Sequence, residues 1–179
     1  MAGDQFSSNI LDNTLQKIVS LLFKNKIYYW FIGYGTLLGI IRNNSCINND
    51  DDIDIIIDII HYDELLILLE KNKYKIILSE KNNNLVKNKN IFIKVQKDKE
   101  PTIDFYFSIS NEDIYHDLWE KNYWIDCVPF IIMPWKDTYL LLPKNSESKL
   151  KIIYGDDWKT PRQRGEYIGC TKRKINKIK

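Results

Sequence analysis

The chain has 179 residues, 44% hydrophobic and 13% aromatic, with a net charge of +2. This is about one domain's length with enough apolar material for a real core, which excludes a globally disordered chain. So small a charge selects no partner through gross electrostatics, and nucleic acid is not expected as one.

Met1 to Gln5 lacks the basic-then-apolar order of a secretory signal, and no apolar run approaches the length of a membrane span. Cys46, Cys127 and Cys170 are far apart and odd in number, with neither zinc spacing nor a disulfide framework. A cytoplasmic location is therefore expected.

Leu11, Leu15, Ile18, Val19 and Leu22 recur at helical spacing, predicting a first helix from a Ser7 or Ser8 cap to about Lys26. Tyr28 to Ile32 reads as a strand, Gly33 to Thr36 as a turn, and Thr36 to Arg42 as a short helix. A loop over Asn43 to Asn49 leads to a strand from Asp52 to Ile57, then a helix from Tyr62 to Lys71. Strands are predicted over Tyr74 to Leu78, Ile91 to Gln96 and Thr102 to Ser108, with a polar, hairpin-like stretch over Ser79 to Asn90. A helix is predicted over Asp113 to Lys121, and extended chain over Val128 to Met133 and Tyr139 to Leu142. A last helix spans Ser146 to Tyr154, with Ser146 as cap and Gly155 as stop. The order gives an α+β or α/β domain with a mixed sheet flanked by helices, covering residues 1–161. Residues 162–179 form a basic tail: from Lys159 onward eight Lys/Arg face one acid, Glu166.

The chemistry concentrates in the run DDDIDI, where Asp50, Asp51, Asp52 and Asp54 precede a purely apolar stretch. Packed carboxylates repel one another unless a cation sits among them. Asp52 and Asp54 are two apart on a strand, so they point the same way, as a hard divalent cation such as Mg²⁺ requires, with Mn²⁺ as the alternative. A calcium loop does not fit: its sixth position would be Ile55, not Gly, and its twelfth His61, not Glu. Asp104, alone among apolar residues in PTIDFYF, is the candidate third acid, and the one suited to take a proton from an acceptor hydroxyl. Upstream, Gly33 and Gly35 allow close backbone approach, a helix starting near Thr36 would aim N–H groups at phosphate, and Arg42 would clamp it. His61 and His116 are isolated, without metal spacing.

The segment YYWFIGYGTLLGIIRNNSCINNDDDIDI, from Tyr28 to Ile55, resembles the signature of the LicD-type phosphocholine transferases, a family that includes fukutin and fukutin-related protein. The matching residues are Trp30, Gly35 to Gly39 (GTLLG), Arg42 and Asp50 to Asp54. IDFYF around Asp104 resembles the family's strand with a third acid, and Tyr154 to Pro161 (YGDDWKTP) its closing block. Asn49 departs from the pattern, standing where the family usually has an aromatic residue.

The resemblance implies a nucleotidyltransferase-like fold and Mg²⁺-dependent transfer of a phospho-alcohol, of the phosphocholine or ribitol-phosphate type. The donor would be CDP-linked, the acceptor a hydroxyl of a glycan or glycolipid, and CMP the product. It implies that Asp52, Asp54 and Asp104 bind metal, that Gly33, Gly35, Thr36 and Arg42 hold phosphate, and that the closing block brings Trp158 to the substrate. The same metal chemistry also serves attachment of NMP from an NTP, and a non-catalytic relative would keep the fold alone.

Overall fold

The structure is a computed structural model, and it describes residues 4–161. The basic tail proposed for 162–179 lies outside the described residues.

The first helix, α1 (Ser8–Lys24), buries Leu11, Leu15, Ile18, Val19 and Leu22, the stripe its spacing dictates. A short strand β1 (Trp30–Ile32) follows, then α2 (Tyr34–Asn43) and β2 (Asp52–Asp58). A single 3-10 turn (Ile59–His61), N-capped by Asp58 Oδ1, leads into α3 (Tyr62–Lys71). Strands β3 (Lys75–Lys81), β4 (Asn90–Gln96) and β5 (Thr102–Asn111) come next. They are followed by β6 (Ile114–Asp117), β7 (Tyr123–Trp124), β8 (Ile131–Trp135), β9 (Thr138–Leu142) and α4 (Ser146–Tyr154).

The main sheet runs β1-β2-β5-β4-β3, with β6 paired to β5 and β7 to β6; β8 and β9 form a separate hairpin. The central pair, β2 and β5, is parallel, while β1, β4 and β3 join antiparallel. The sheet is thus mixed, as the element order predicts. Its centre explains the composition of β2. A strand covered on both faces reads as an unbroken apolar run, and Ile53, Ile55, Ile56 and Ile57 are all fully buried. Across the sheet they meet Ile103, Phe105 and Phe107 of β5 and Phe31 and Ile32 of β1 in one core.

Two elements differ from the sequence expectation. The helix expected over Asp113 to Lys121 is a hairpin: β6 and β7 pair Tyr115 with Trp124 and His116 with Tyr123. Alternating burial explains it, because Tyr115 and Asp117 are buried while Ile114 and His116 are partly exposed, a period of two. The helix expected from Thr36 begins earlier, at Tyr34, with Gly33 as N-cap. Between the two glycines Tyr34 takes φ 40°, a left-handed conformation that strains a non-glycine residue by about 1–3 kcal/mol. Its surroundings impose it. The Tyr34 hydroxyl donates to Asp117 Oδ2 and accepts from Asn122 Nδ2, and its ring packs on Tyr106 and Trp124.

The last helix starts and stops where expected, Gly155 ending it at φ 98°, but Ser146 is its first residue rather than its cap. Among the described residues no helix is long and apolar enough to cross a membrane.

Candidate active site

The acids gather where three strands present one face. Asp54 lies opposite Asp104 on the parallel pair β2–β5, and Lys94 lies opposite Asp104 on the antiparallel pair β5–β4. Directly opposite residues share a face of the sheet, and Asp52 joins them two positions before Asp54. Lys94 Nζ bridges two strands' carboxylates, 3.1 Å from Asp52 Oδ2 and 3.1 Å from Asp104 Oδ1.

The start of α2 closes this face. Thr36 grips Asp54 twice: its N–H donates to Asp54 Oδ2 at 3.2 Å, and its Oγ1 accepts from the Asp54 backbone N–H at 2.8 Å. Tyr106 donates its hydroxyl to Asp54 Oδ1 at 3.2 Å. Gly35 leaves room for the acids, since a Cβ there would sit 3.1 Å from Asp50 Oδ2 and 3.3 Å from Asp54 Oδ2. Before β2, the carboxylates of Asp50, Asp51 and Asp52 all come within 4.8 Å of one another.

Burial and crowding govern the charges. Asp54 and Asp104 are only 6% and 4% exposed. Burial, reinforced by the charges of Asp52, Asp104 and Asp50, holds Asp54 well above the ordinary carboxylate range. Burial and the Asp52 charge raise Asp104 to about 7, against the pull of Lys94. Burial works against the Lys94 ammonium as well, but Asp104 and Asp52 outweigh it and keep the group charged.

The loop that carries the acids is fixed from behind. Gly39 packs so tightly that a Cβ would lie 2.7 Å from Ser45 O and 2.9 Å from Ile47 N. Asp12 of α1 accepts from Cys46 N, Ser45 Oγ and Lys136 Nζ, each at 2.8 Å. Asn49 turns the chain into the acidic run at φ 67°, a region asparagine tolerates.

The residues expected at phosphate occupy different settings. Gly35 faces the acids. Gly33 is packed against Ile56, whose Cδ1 would lie 2.5 Å from a Cβ. Thr36 is buried and committed to Asp54. Arg42 sits in the last turn of α2, eight residues from its start and so about 12 Å along the axis. Trp158 is buried in the core, with Lys159 over its ring. His61 stacks on Tyr29 and pairs with Glu64, and His116 stacks on Tyr123.

Sequence reasoning missed Lys94, Tyr106 and Tyr34. Only Lys94 left a signal: it is the one charged residue in NIFIKVQ, a strand whose other central positions are buried and apolar.

The family described as LicD/FKTN/FKRP, nucleotidyltransferase domain, matches residues 26–145. The match takes in every acid of the site and Lys94, and stops short of the closing block. A Rickettsia typhi protein, RT0683, is 29% identical over 190 residues, covering 87% of this chain. The chain spans 58% of that relative's length. Among solved structures, the lincosamide antibiotic adenylyltransferase LnuA, with lincomycin bound, is similar at a TM-score of 0.54 and 18% identity, over 82% of this chain and 86% of that one. The fold is thus nucleotidyltransferase-like, and the chain belongs to the LicD/FKTN/FKRP family.

Proposed function

We propose that this member of the LicD/FKTN/FKRP family is a Mg²⁺-dependent cytoplasmic transferase. On this reading it moves a phospho-alcohol, of the phosphocholine or ribitol-phosphate type, from a CDP-linked donor to a hydroxyl of a glycan or glycolipid and releases CMP. The observation that carries the reading is the pairing of Asp54 with Asp104 across parallel strands, with Asp52 on the same face and Asp54 held by the first turn of α2.

The donor set fits a hard cation. It is made wholly of carboxylate oxygens, with three acids before and at the start of β2 within 4.8 Å of one another and two more buried beside them. Asp52 and Asp54 would hold Mg²⁺, or Mn²⁺ in its stead, with Asp50 and Asp51 at the rim and Asp104 completing the acid set. Bound there, the ion would neutralise charge on the donor's diphosphate.

The chain's own residues do the rest. Thr36 and Tyr106 fix the Asp54 carboxylate from two sides. Gly35 keeps the first turn of α2 open towards the acids, where the diphosphate approaches helix N–H groups. Asp104, raised to about 7, is suited to take the acceptor hydroxyl's proton near neutral pH. The acceptor oxygen then bonds to the phosphorus that carries the alcohol. The P–O bond to CMP breaks, and CMP leaves with the electron pair.

The test is product release from purified chain given Mg²⁺, an acceptor glycan, and CDP-choline, CDP-ribitol or plain NTPs. CMP released from a CDP-linked donor, and lost with EDTA, is the expected result. Pyrophosphate from NTPs instead would assign NMP transfer, and no metal-dependent turnover with any donor would mark a non-catalytic relative.

A further inference from the structure

We infer that the Lys94 ammonium takes the place of a second divalent cation, so that this chain holds a single metal ion in a site whose acids carry the charge for two. The inference rests on the metal-dependent reading above and adds to it the number of ions and the residue that sets it.

Lys94 is not a passing surface contact. Its backbone is fixed opposite Asp104 by the β4–β5 register, and its side chain is only 22% exposed. The ammonium lies between Asp52 and Asp104, on neighbouring strands, at 3.1 Å from each. Those are ammonium distances. Mg²⁺ requires its oxygens at about 2.0–2.1 Å. A divalent ion in the same place would need both carboxylates to close in by about an ångström and the ammonium to leave. The β2–β5 pairing fixes both backbones, so that approach would have to come from rotation of both side chains together. The remaining acids gather at Asp52 and Asp54, the proposed metal ligands, with the carboxylates of Asp50 and Asp51 within 4.8 Å of that of Asp52. The geometry therefore sets a fixed positive charge between Asp52 and Asp104 and points to the Asp52–Asp54 side of the set for the metal. Lys94 acts through Asp52 and Asp104 and is a positioning residue.

Counting Mn²⁺ bound per chain by the loss of its free-ion electron paramagnetic resonance signal tests this without reference to turnover. The native chain should bind one ion. Lys94→Met keeps the length of the side chain, removes its charge and should bind two. Lys94→Arg restores the charge and should return to one, with circular dichroism confirming that both variants are folded. Two ions in the native chain, or one in both the native chain and Lys94→Met, would overturn the inference and leave the metal-dependent reading standing. The native count decides alone if Lys94→Met fails to fold: one ion supports the inference and two refutes it. No Mn²⁺ bound by the native chain would overturn the metal reading, and the inference with it.

Discussion

Single residues carry opposing demands in this protein, and Asp54 shows them most clearly. It is buried among three other acids, so its charge costs stability whenever no cation is present. Asp54→Asn should lower CMP release by about a hundred- to a thousandfold, the scale of losing a contact to charge that develops in the transition state. In metal-free buffer the same variant should melt higher than the native chain. The raised pKa fixes the pH window. An unfolded aspartate ionises near about 3.9, so the native chain is penalised above that pH and the variant's advantage disappears below it. Mg²⁺ should reverse the order by raising the native melting temperature alone. Lys149 is the complementary case. Its ammonium lies under α4, bonded to Tyr123 O and over the Trp124 ring, and burial lowers its pKa to about 8 against the pull of Asp117. An unfolded lysine titrates near about 10.4. Between those values the unfolded chain holds more protons, so Lys149 contributes stability that is present above pH 10.4 and lost as pH falls through 8. Lys149→Met should flatten that part of the stability profile, read as the native-minus-variant difference in thermal melts from pH 7.5 to 10.5.

At the scale of elements, α2 explains why its glycines are placed as they are. Gly39 faces backbone, Ser45 O and Ile47 N, which cannot move without displacing the loop that leads to the acids. Gly33 faces the end of the Ile56 side chain, which can rotate. Gly39→Ala should therefore cost about 2–3 kcal/mol, within the range of overpacking a tight contact. Gly33→Ala should cost less, and urea unfolding of the two variants side by side decides it. The same helix shows where sequence reading stops. The GTLLG pattern places a helix after a glycine turn, and the helix is there. Its start at Tyr34 was not legible, because φ 40° at an aromatic residue is imposed by Asp117, Asn122 and Tyr106, which lie 72 or more positions away in sequence. The β6–β7 hairpin was misread for a related reason. A four-residue alternation is too short to outweigh a helical spacing until the end of β5 offers an edge to pair with.

Over the whole molecule, the acidic face depends on residues far from it in sequence. Asp12 sits in α1 and Lys136 in the turn between β8 and β9, yet both converge on the loop before β2. Asp12 is nearly fully buried. Burial opposes its charge, but the bonds from Cys46, Lys136 and Ser45 outweigh it and hold its pKa below the ordinary value. Asp12→Ala leaves those three donors without their acceptor. It should cost about 2–3 kcal/mol, or a fall in Tm of roughly 4–12 °C for a chain of this size. It should also weaken Mn²⁺ binding, since Asp50 and Asp51 hang from the same loop, and titrating Mn²⁺ into the native chain and the variant measures that loss.

The amino-acid sequence by itself determined the elements whose pattern is strong and local: the apolar stripe of α1, the buried run of β2 with its leading acids, and the α+β order with a mixed sheet. It also singled out Asp104, because a lone carboxylate in an apolar strand is costly wherever that strand goes. Only the tertiary structure decided which acids meet. The parallel pairing of β2 with β5 puts Asp54 against Asp104, and the antiparallel pairing of β4 brings Lys94 between Asp104 and Asp52. Strand register is a long-range property, fixed by the whole sheet's packing, and a slip of one residue would send each of these charges to the opposite face.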